Sequence, residues 1–220
     1  MPVVSYRCAI TSLSCAQPVM GDRPSAAAPP AGHSSIIATP ARTALLVAPV
    51  RVLLMFKLRA MQVRDLPAVM AIQKESYSPE VLEGEAVIRA RLAACPQLAW
   101  VAEDDMGVCA YLFAYHSRLG KVTPLDGEFQ RHAEADCLYL HDLEVSGRAS
   151  GRGIGPALVR HNLEQARTQQ LRYSALVSVQ ESEGFWSRLG YCAHSELEPC
   201  QAGNLDSYQI PAVYMVRALH

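Results

Sequence analysis

The sequence predicts an α/β domain, and three observations predict it. Leu138 to Gly155 reads LYLHDLEVSGRASGRGIG: an apolar strand, an arginine, three alternating glycines and then a helix that opens with Pro156. Tyr173 to Val179 (YSALVSV) follows that helix as a second apolar strand. The chain has 220 residues, half of them apolar, enough for one domain plus an extension, and a domain of that scale buries about 70% of its unfolded surface without disulfide staples.

The elements follow in order. Residues 1–54 are rich in Ala, Pro and Ser, hold Asp22 as their one acidic residue and show no sustained period before Leu45. Disorder is expected there. The apolar run Thr43 to Phe56 is broken by Pro49 and Arg51 and is too short to span a bilayer. The acid-poor, arginine- and serine-bearing character fits either an organellar targeting peptide or an upstream start read in error, and the second is favoured, with Met55 as the start of the folded domain, 55–220.

Phe56 to Met61 reads as a strand, and Leu66 to Ser76 as a helix with Asp65 as N-cap, because Leu66, Val69, Met70 and Ile72 keep helical spacing. Val81 to Ala94 reads as a second helix ended before Pro96. Leu98 to Glu103 and Val108 to His116 form a hairpin around Asp104, Asp105, Met106 and Gly107. A loop of about twenty residues, Ser117 to Asp136, is long enough to suggest function. Ser207 to Val216 supplies a last strand, which Pro211 consigns to an edge.

The glycine loop carries the chemistry. Glycines at 151, 153 and 155 permit positive φ and let a diphosphate approach the main chain. The helix start adds unpaired N–H groups and the positive end of its dipole. Arg148 and Arg152 add planar donors for phosphate oxygens, and Pro156 fits the first helical position. The plainer alternative is a flexible turn with two solvated arginines. No Lys-Ser/Thr follows the glycines, so the loop is not a P-loop, and the spacing is not G-x-G-x-x-G.

Composition narrows the partners. Net charge is −1 with no long basic run, which gives no reason to expect nucleic acid or a membrane surface. The seven cysteines, at 8, 15, 95, 109, 137, 192 and 200, form no C-x-x-C pair. Free thiols in a reducing cytoplasm, without metal, are expected.

Arg148-Ala149-Ser150-Gly151-Arg152-Gly153 resembles the R/Q-x-x-G-x-G/A acetyl-CoA motif of the GNAT N-acetyltransferase superfamily, and Gly184-Phe185-Trp186-Ser187-Arg188-Leu189-Gly190-Tyr191 is similar to its F-Y-x-x-x-G-F helix end. The resemblance covers about residues 138 to 216. It implies a mixed, largely antiparallel sheet of about six to seven strands flanked by helices, with a splayed strand pair holding acyl-CoA. It implies acetyl-CoA as co-substrate, bound by main-chain groups of Leu143 and Val145 and by Arg148, Gly151, Arg152, Gly153, Ile154 and Gly155. The activity implied is transfer of an acetyl group to a primary amine by direct attack on the thioester, by a monomer or homodimer.

LHDLEV resembles the L-H-x-L-x-V strand of arylalkylamine N-acetyltransferases, where a histidine takes part in proton removal; the second histidine usual there is Tyr139. His141 is accordingly the first proton-handling candidate, on one strand face with Tyr139, Leu143 and Val145 if the strand is regular; a hydrogen-bonded core histidine is the alternative. Glu144 is a second candidate base, pointing with Asp142 to the opposite face unless a bulge re-aims them. Tyr115 and His116 are weaker cleft candidates. Trp186 replaces the tyrosine that protonates the thiolate in many family members, and an indole N–H is no useful acid, so Tyr191 or Tyr139 is left as a stand-in. The loop 118–136 lies where arylalkylamine-type enzymes carry a mobile substrate segment, which points to a small (aryl)alkylamine. A peptide N-terminus or lysine, or acyl-CoA binding without catalysis, are the alternatives.

Overall fold

The structure is a computed structural model that describes residues 56–129 and 132–220. The extension expected over 1–54 and the start proposed at Met55 lie outside the described residues.

Seven strands form one sheet in the order β1-β2-β3-β4-β5-β7-β6. β1 (Lys57–Ala60), β2 (Ala99–Asp104), β3 (Gly107–Ser117) and β4 (Cys137–Val145) run antiparallel to one another. β4 pairs parallel with β5 (Tyr173–Val179), and β7 (Ala212–Ala218) lies antiparallel between β5 and the two-residue β6 (Cys192–Ala193). The helices are α1 (Leu66–Ser76), α2 (Glu85–Ala94), α3 (Ile154–Thr168), α4 (Glu183–Arg188) and α5 (Pro199–Asp206). This is the mixed, mostly antiparallel sheet flanked by helices that the family resemblance implies.

α1 buries Leu66, Val69, Ile72 and Gln73 on the sheet face that carries Tyr111. α3 covers the other face, where its His161 meets the Trp100 ring edge-on at 4.0 Å. Buried Tyr111, Phe113, Leu138, Tyr139, Leu158 and Leu176 belong to one continuous core. No helix of the described residues is long and apolar enough to cross a membrane.

Four local expectations change. Asp65 does stand before α1, yet its carboxylate does not cap that helix; it accepts the Gln62 N–H at 2.8 Å and pairs with Arg59 at 2.6 Å. The helix expected from Val81 begins instead at Glu85, after a short 3-10 turn at Pro79–Val81. The cause is Glu83, whose N–H bonds Gln73 Oε1 at 3.0 Å and whose carboxylate is drawn inward by Arg91. The last strand starts after Pro211 and runs to Ala218, so the proline costs no ladder bond and β7 is not an edge. Residues before it form α5, whose polar, unburied surface gave no helical stripe.

Candidate functional site

β4 is the element that makes the site. Its register against β3 pairs Phe113 with Asp142 and Ala114 with Leu140, leaving His141 as an extra residue. A bulge of this kind bends a strand and increases its twist. At the same point the parallel pairing with β5 ends, with Leu140 opposite Leu176. Beyond it β4 stays with β3 as far as Val145, and β5 stays with β7 as far as Val179, so the two strands splay.

The bulge also corrects the expected facing. Asp142 and Glu144 lie opposite Phe113 and Tyr111, on the face of Tyr139 and Tyr115, while Leu143 lies opposite Leu112 on the α3 face. His141 therefore does not share a face with Leu143 and Val145. It packs beside Phe129, at 5.2 Å between rings, and Tyr139.

A cavity of about 400 Å³ fills the splay. His141 to Val145 form one wall, Val177, Val179 and Gln180 the other, and Gly151, Gly153, Ile154, Gly155 and Pro156 one end. Gly151 and Gly153 have φ of +76° and +75°, and a Cβ on either would meet nothing within 4 Å. Both are the left-handed positions expected of a loop whose backbone a ligand approaches. α3 begins at Ile154, so Pro156 is its third residue rather than its first. The first intrahelical bond is Ala157 N–H to Gly153 O at 3.1 Å, and the preceding amides of Ile154 and Gly155 have no helical acceptor. The splay and this helix start fit an elongated ligand ending in a diphosphate.

The two arginines behave otherwise. Arg148 grips both oxygens of Asp104 at 2.9 Å and also the carbonyls of Gly107 and Val108, and Arg152 reaches Asp104 at 2.6 Å. Neither lines the cavity. They fasten the loop to the β2–β3 hairpin, which leaves the loop's main chain at this end of the cavity; the arginine that does line the cavity is Arg188 of α4.

The other end of the cavity is acidic. Glu75, Tyr77, Val81, Glu83, Leu125 and Tyr208 surround it together with Asp142 and Glu144. Asp142 accepts the Tyr77 hydroxyl at 2.7 Å and the Tyr111 hydroxyl at 2.8 Å. Burial and then the Asp142 charge push the Glu144 carboxyl up to about 8. Glu83 ends at about 2: burial opposes its ionisation, but His141 and Arg91 outweigh that cost. His141 Nε2 stands 3.6 Å from Glu83, with its ring almost wholly enclosed and Nδ1 buried without a partner.

Tyr191 is not brought to the cavity. It is 1% exposed, its hydroxyl bonds Ser174 at 2.7 Å, and burial raises its pKa above the usual tyrosine range. Tyr139 is equally buried, and its hydroxyl has no partner. Trp186 forms part of the cavity wall. Tyr115 bonds Thr123, and neither it nor His116 lines this cavity. Described parts of the loop 118–136 are stapled down: Gly120 N–H to Tyr214, Val122 N–H to Gln201, Leu125 N–H to Ser207 and Asp126 N–H to Glu83. Leu125 is the part of it that reaches the cavity.

Sequence reasoning missed Tyr77, Glu83 and Gln180. The first two come from the turn between α1 and α2, which lacks any motif. Gln180 and Glu181 are consecutive non-glycine residues at φ +51° and +58°, a strained pair costing about 1–3 kcal/mol each, which no sequence signal announces. Among the described residues no three His, Cys, Asp or Glu side chains cluster as metal ligands.

The acetyltransferase (GNAT) family model matches residues 66–191. No curated protein sequence matches the chain significantly. Among solved structures the chain is similar to the GphF GNAT-like decarboxylase in complex with isobutyryl-CoA, at 15% identity and TM-score 0.61, over 74% of this chain and 100% of that one. It is similar to Ard1 from Thermoplasma volcanium, at 16% identity and TM-score 0.56, over 74% and 97%. It also resembles N-acetylglutamate synthase from Neisseria gonorrhoeae complexed with coenzyme A and N-acetyl-glutamate, at 19% identity and TM-score 0.55, over 76% and 35%. These likenesses show the shared fold, and they lend no support to the narrower arylalkylamine resemblance.

Proposed function

The chain belongs to the GNAT acetyltransferase family, and from that premise we propose that it moves an acetyl group from acetyl-CoA to a small primary amine with an apolar body. The observation that carries this reading is the splay cavity, which joins the glycine loop and the start of α3 at one end to a carboxylate-lined, partly apolar chamber at the other.

In this reading the unpaired edge of Leu143 to Val145 holds the pantetheine arm as an added strand, and the amides from Gly151 to Gly155 take the diphosphate. An ammonium enters the acidic end, where Tyr77, Val81, Leu125 and Tyr208 flank its apolar body. Glu144 takes one proton from the ammonium; a base near pH 8 is well matched to that task. The freed amine then forms the C–N bond to the thioester carbonyl, an amide of Leu143 or Val145 polarises that carbonyl, and the C–S bond breaks. The second amine proton leaves with the thiolate. Because a free thiol has a pKa near ~8.5, that departure needs no tyrosine acid, which suits the buried Tyr191 and the Trp186 wall.

His141 is the second proton-handling group proposed, acting beside Glu83. A cytoplasmic setting belongs to the same proposal and rests on cysteine usage; none of the five described cysteines is in a disulfide.

The test is free-thiol release from acetyl-CoA against a panel of arylalkylamines, amino acids and short peptides, with CoA binding measured in the same sample. Amine-dependent release is expected, and Glu144→Gln reduces it by about 10²–10⁴-fold. His141→Ala leaves CoA bound and gives a smaller loss at neutral pH. Release with peptides alone replaces the small amine by a protein acceptor, and binding with no release on any acceptor sinks catalysis in favour of an acyl-CoA-binding module.

A further inference from the structure

The paired carboxylates of β4 differ in their partners. Asp142 is 5% exposed and receives two hydroxyls, Tyr77 Oη on one oxygen and Tyr111 Oη on the other. Glu144, two residues along on the same face, lines the cavity and has Ser76 and Tyr77 beside it. Of the other charges around this chamber, Glu83 is paired with Arg91, and Glu75 accepts the Ser146 hydroxyl at 3.0 Å and the Gly147 N–H at 3.1 Å. His141 stands beside Glu83. α1 contributes Glu75, the turn after it contributes Tyr77, β3 contributes Tyr111, and no lysine or arginine among the described residues pairs with Asp142 or Glu144.

We propose that Asp142 is a positioning residue for the proton transfer: held by Tyr77 and Tyr111, its carboxylate governs how readily Glu144 accepts the proton of the substrate ammonium. This rests on the acetyltransferase reading given above. The physical logic is that of two carboxylates in one apolar site, which cannot ionise independently. A hydroxyl donor on each of its two oxygens favours the charged form of Asp142. Asp142 is therefore the member that ionises first, and its fixed charge makes the second ionisation, on the cavity-lining Glu144, harder. Glu144 is thereby left able to receive a proton near neutral pH and to return it to water after turnover. The bulge at His141 is what brings the pair to this face, because a regular strand would have presented them with different neighbours.

Carboxyl carbon NMR titration of the ligand-free full-length protein tests this without catalysis, with Glu144→Gln identifying the Glu144 resonance and Asp142→Asn that of Asp142. In the wild type Asp142 is expected to ionise at lower pH than Glu144, whose midpoint lies near 8. In Asp142→Asn the Glu144 midpoint falls by about one unit or more, and the acidic limb of kcat/KM moves down with it. Should Asp142→Asn fail to fold, the order of ionisation in the wild type decides, with an assignment made from Asp142→Glu. Asp142 ionising after Glu144, or a Glu144 midpoint unmoved in folded Asp142→Asn, overturns the proposal. Thiol release with an unshifted acidic limb sinks Asp142 alone, whereas the expected titration with no thiol release on any amine sinks the acetyltransferase reading alone.

Discussion

Gly153 shows how a single residue can be necessary for conformation alone. Its φ of +75° is left-handed, yet a side chain there would meet no neighbouring atom. Valine at 153 is costly because a β-branched residue resists that φ, by about 1–2 kcal/mol or more. Gly153→Val is expected to lower Tm by a few degrees and weaken CoA binding, whereas Gly153→Asn, which tolerates the left-handed region, keeps most of both. Thermal melts and calorimetric titration with CoA read the two effects, and equal behaviour of the variants would refute the conformational account. The glycine positions were legible in the sequence because spacing alone marks them. The partners of Arg148 and Arg152 were not, since Asp104 lies on a distant hairpin and no local pattern joins them.

Among elements, the alternation rule succeeded up to Leu140 and failed after it. One extra residue in β4 moves every later side chain to the other face, and nothing in LHDLEV marks where the extra residue falls. The start of α2 escaped the sequence for a related reason: Glu83 is recruited by Gln73, Arg91, Asp126 and His141, which come from four different segments. That junction makes a testable claim. Glu83→Gln leaves Arg91 buried without its countercharge, which costs about 3–5 kcal/mol. Since Glu83 is held near pH 2 in the folded chain against 4.5 otherwise, its contribution is complete above about pH 4.5 and is lost as pH falls toward 2. Denaturant unfolding at pH 6 and pH 3 is expected to show the gap between wild type and Glu83→Gln narrowing by about 2 kcal/mol at the lower pH. A gap that stays constant would show that the ion pair is not its source.

For the whole molecule, the sequence conveyed the order of strands and helices because each carries its own periodicity, while the cavity depends on where two strands part. The splay leaves main-chain groups of β4 and β5 without sheet partners. A ligand that occupies it supplies the missing strand, so binding is expected to stabilise the entire domain. At a concentration 100 times its Kd, CoA adds about 2.7 kcal/mol, or roughly 5–10 °C in Tm for a domain of this size. Differential scanning calorimetry with and without CoA measures it, and an unchanged Tm despite measured binding would mean that the ligand does not engage the fold through this gap.

The extra residue at His141 also makes chain length at this point a functional quantity. A substitution there changes one side chain, but deleting the residue would join Leu140 directly to Asp142 and restore unbroken pairing with β3, leaving Asp142 opposite Phe113 and Glu144 opposite Tyr111 while removing the extra length that bends the strand. Loss of a residue, harmless in most surface turns, would here spare the acidic face and straighten the strand where β4 parts from β5.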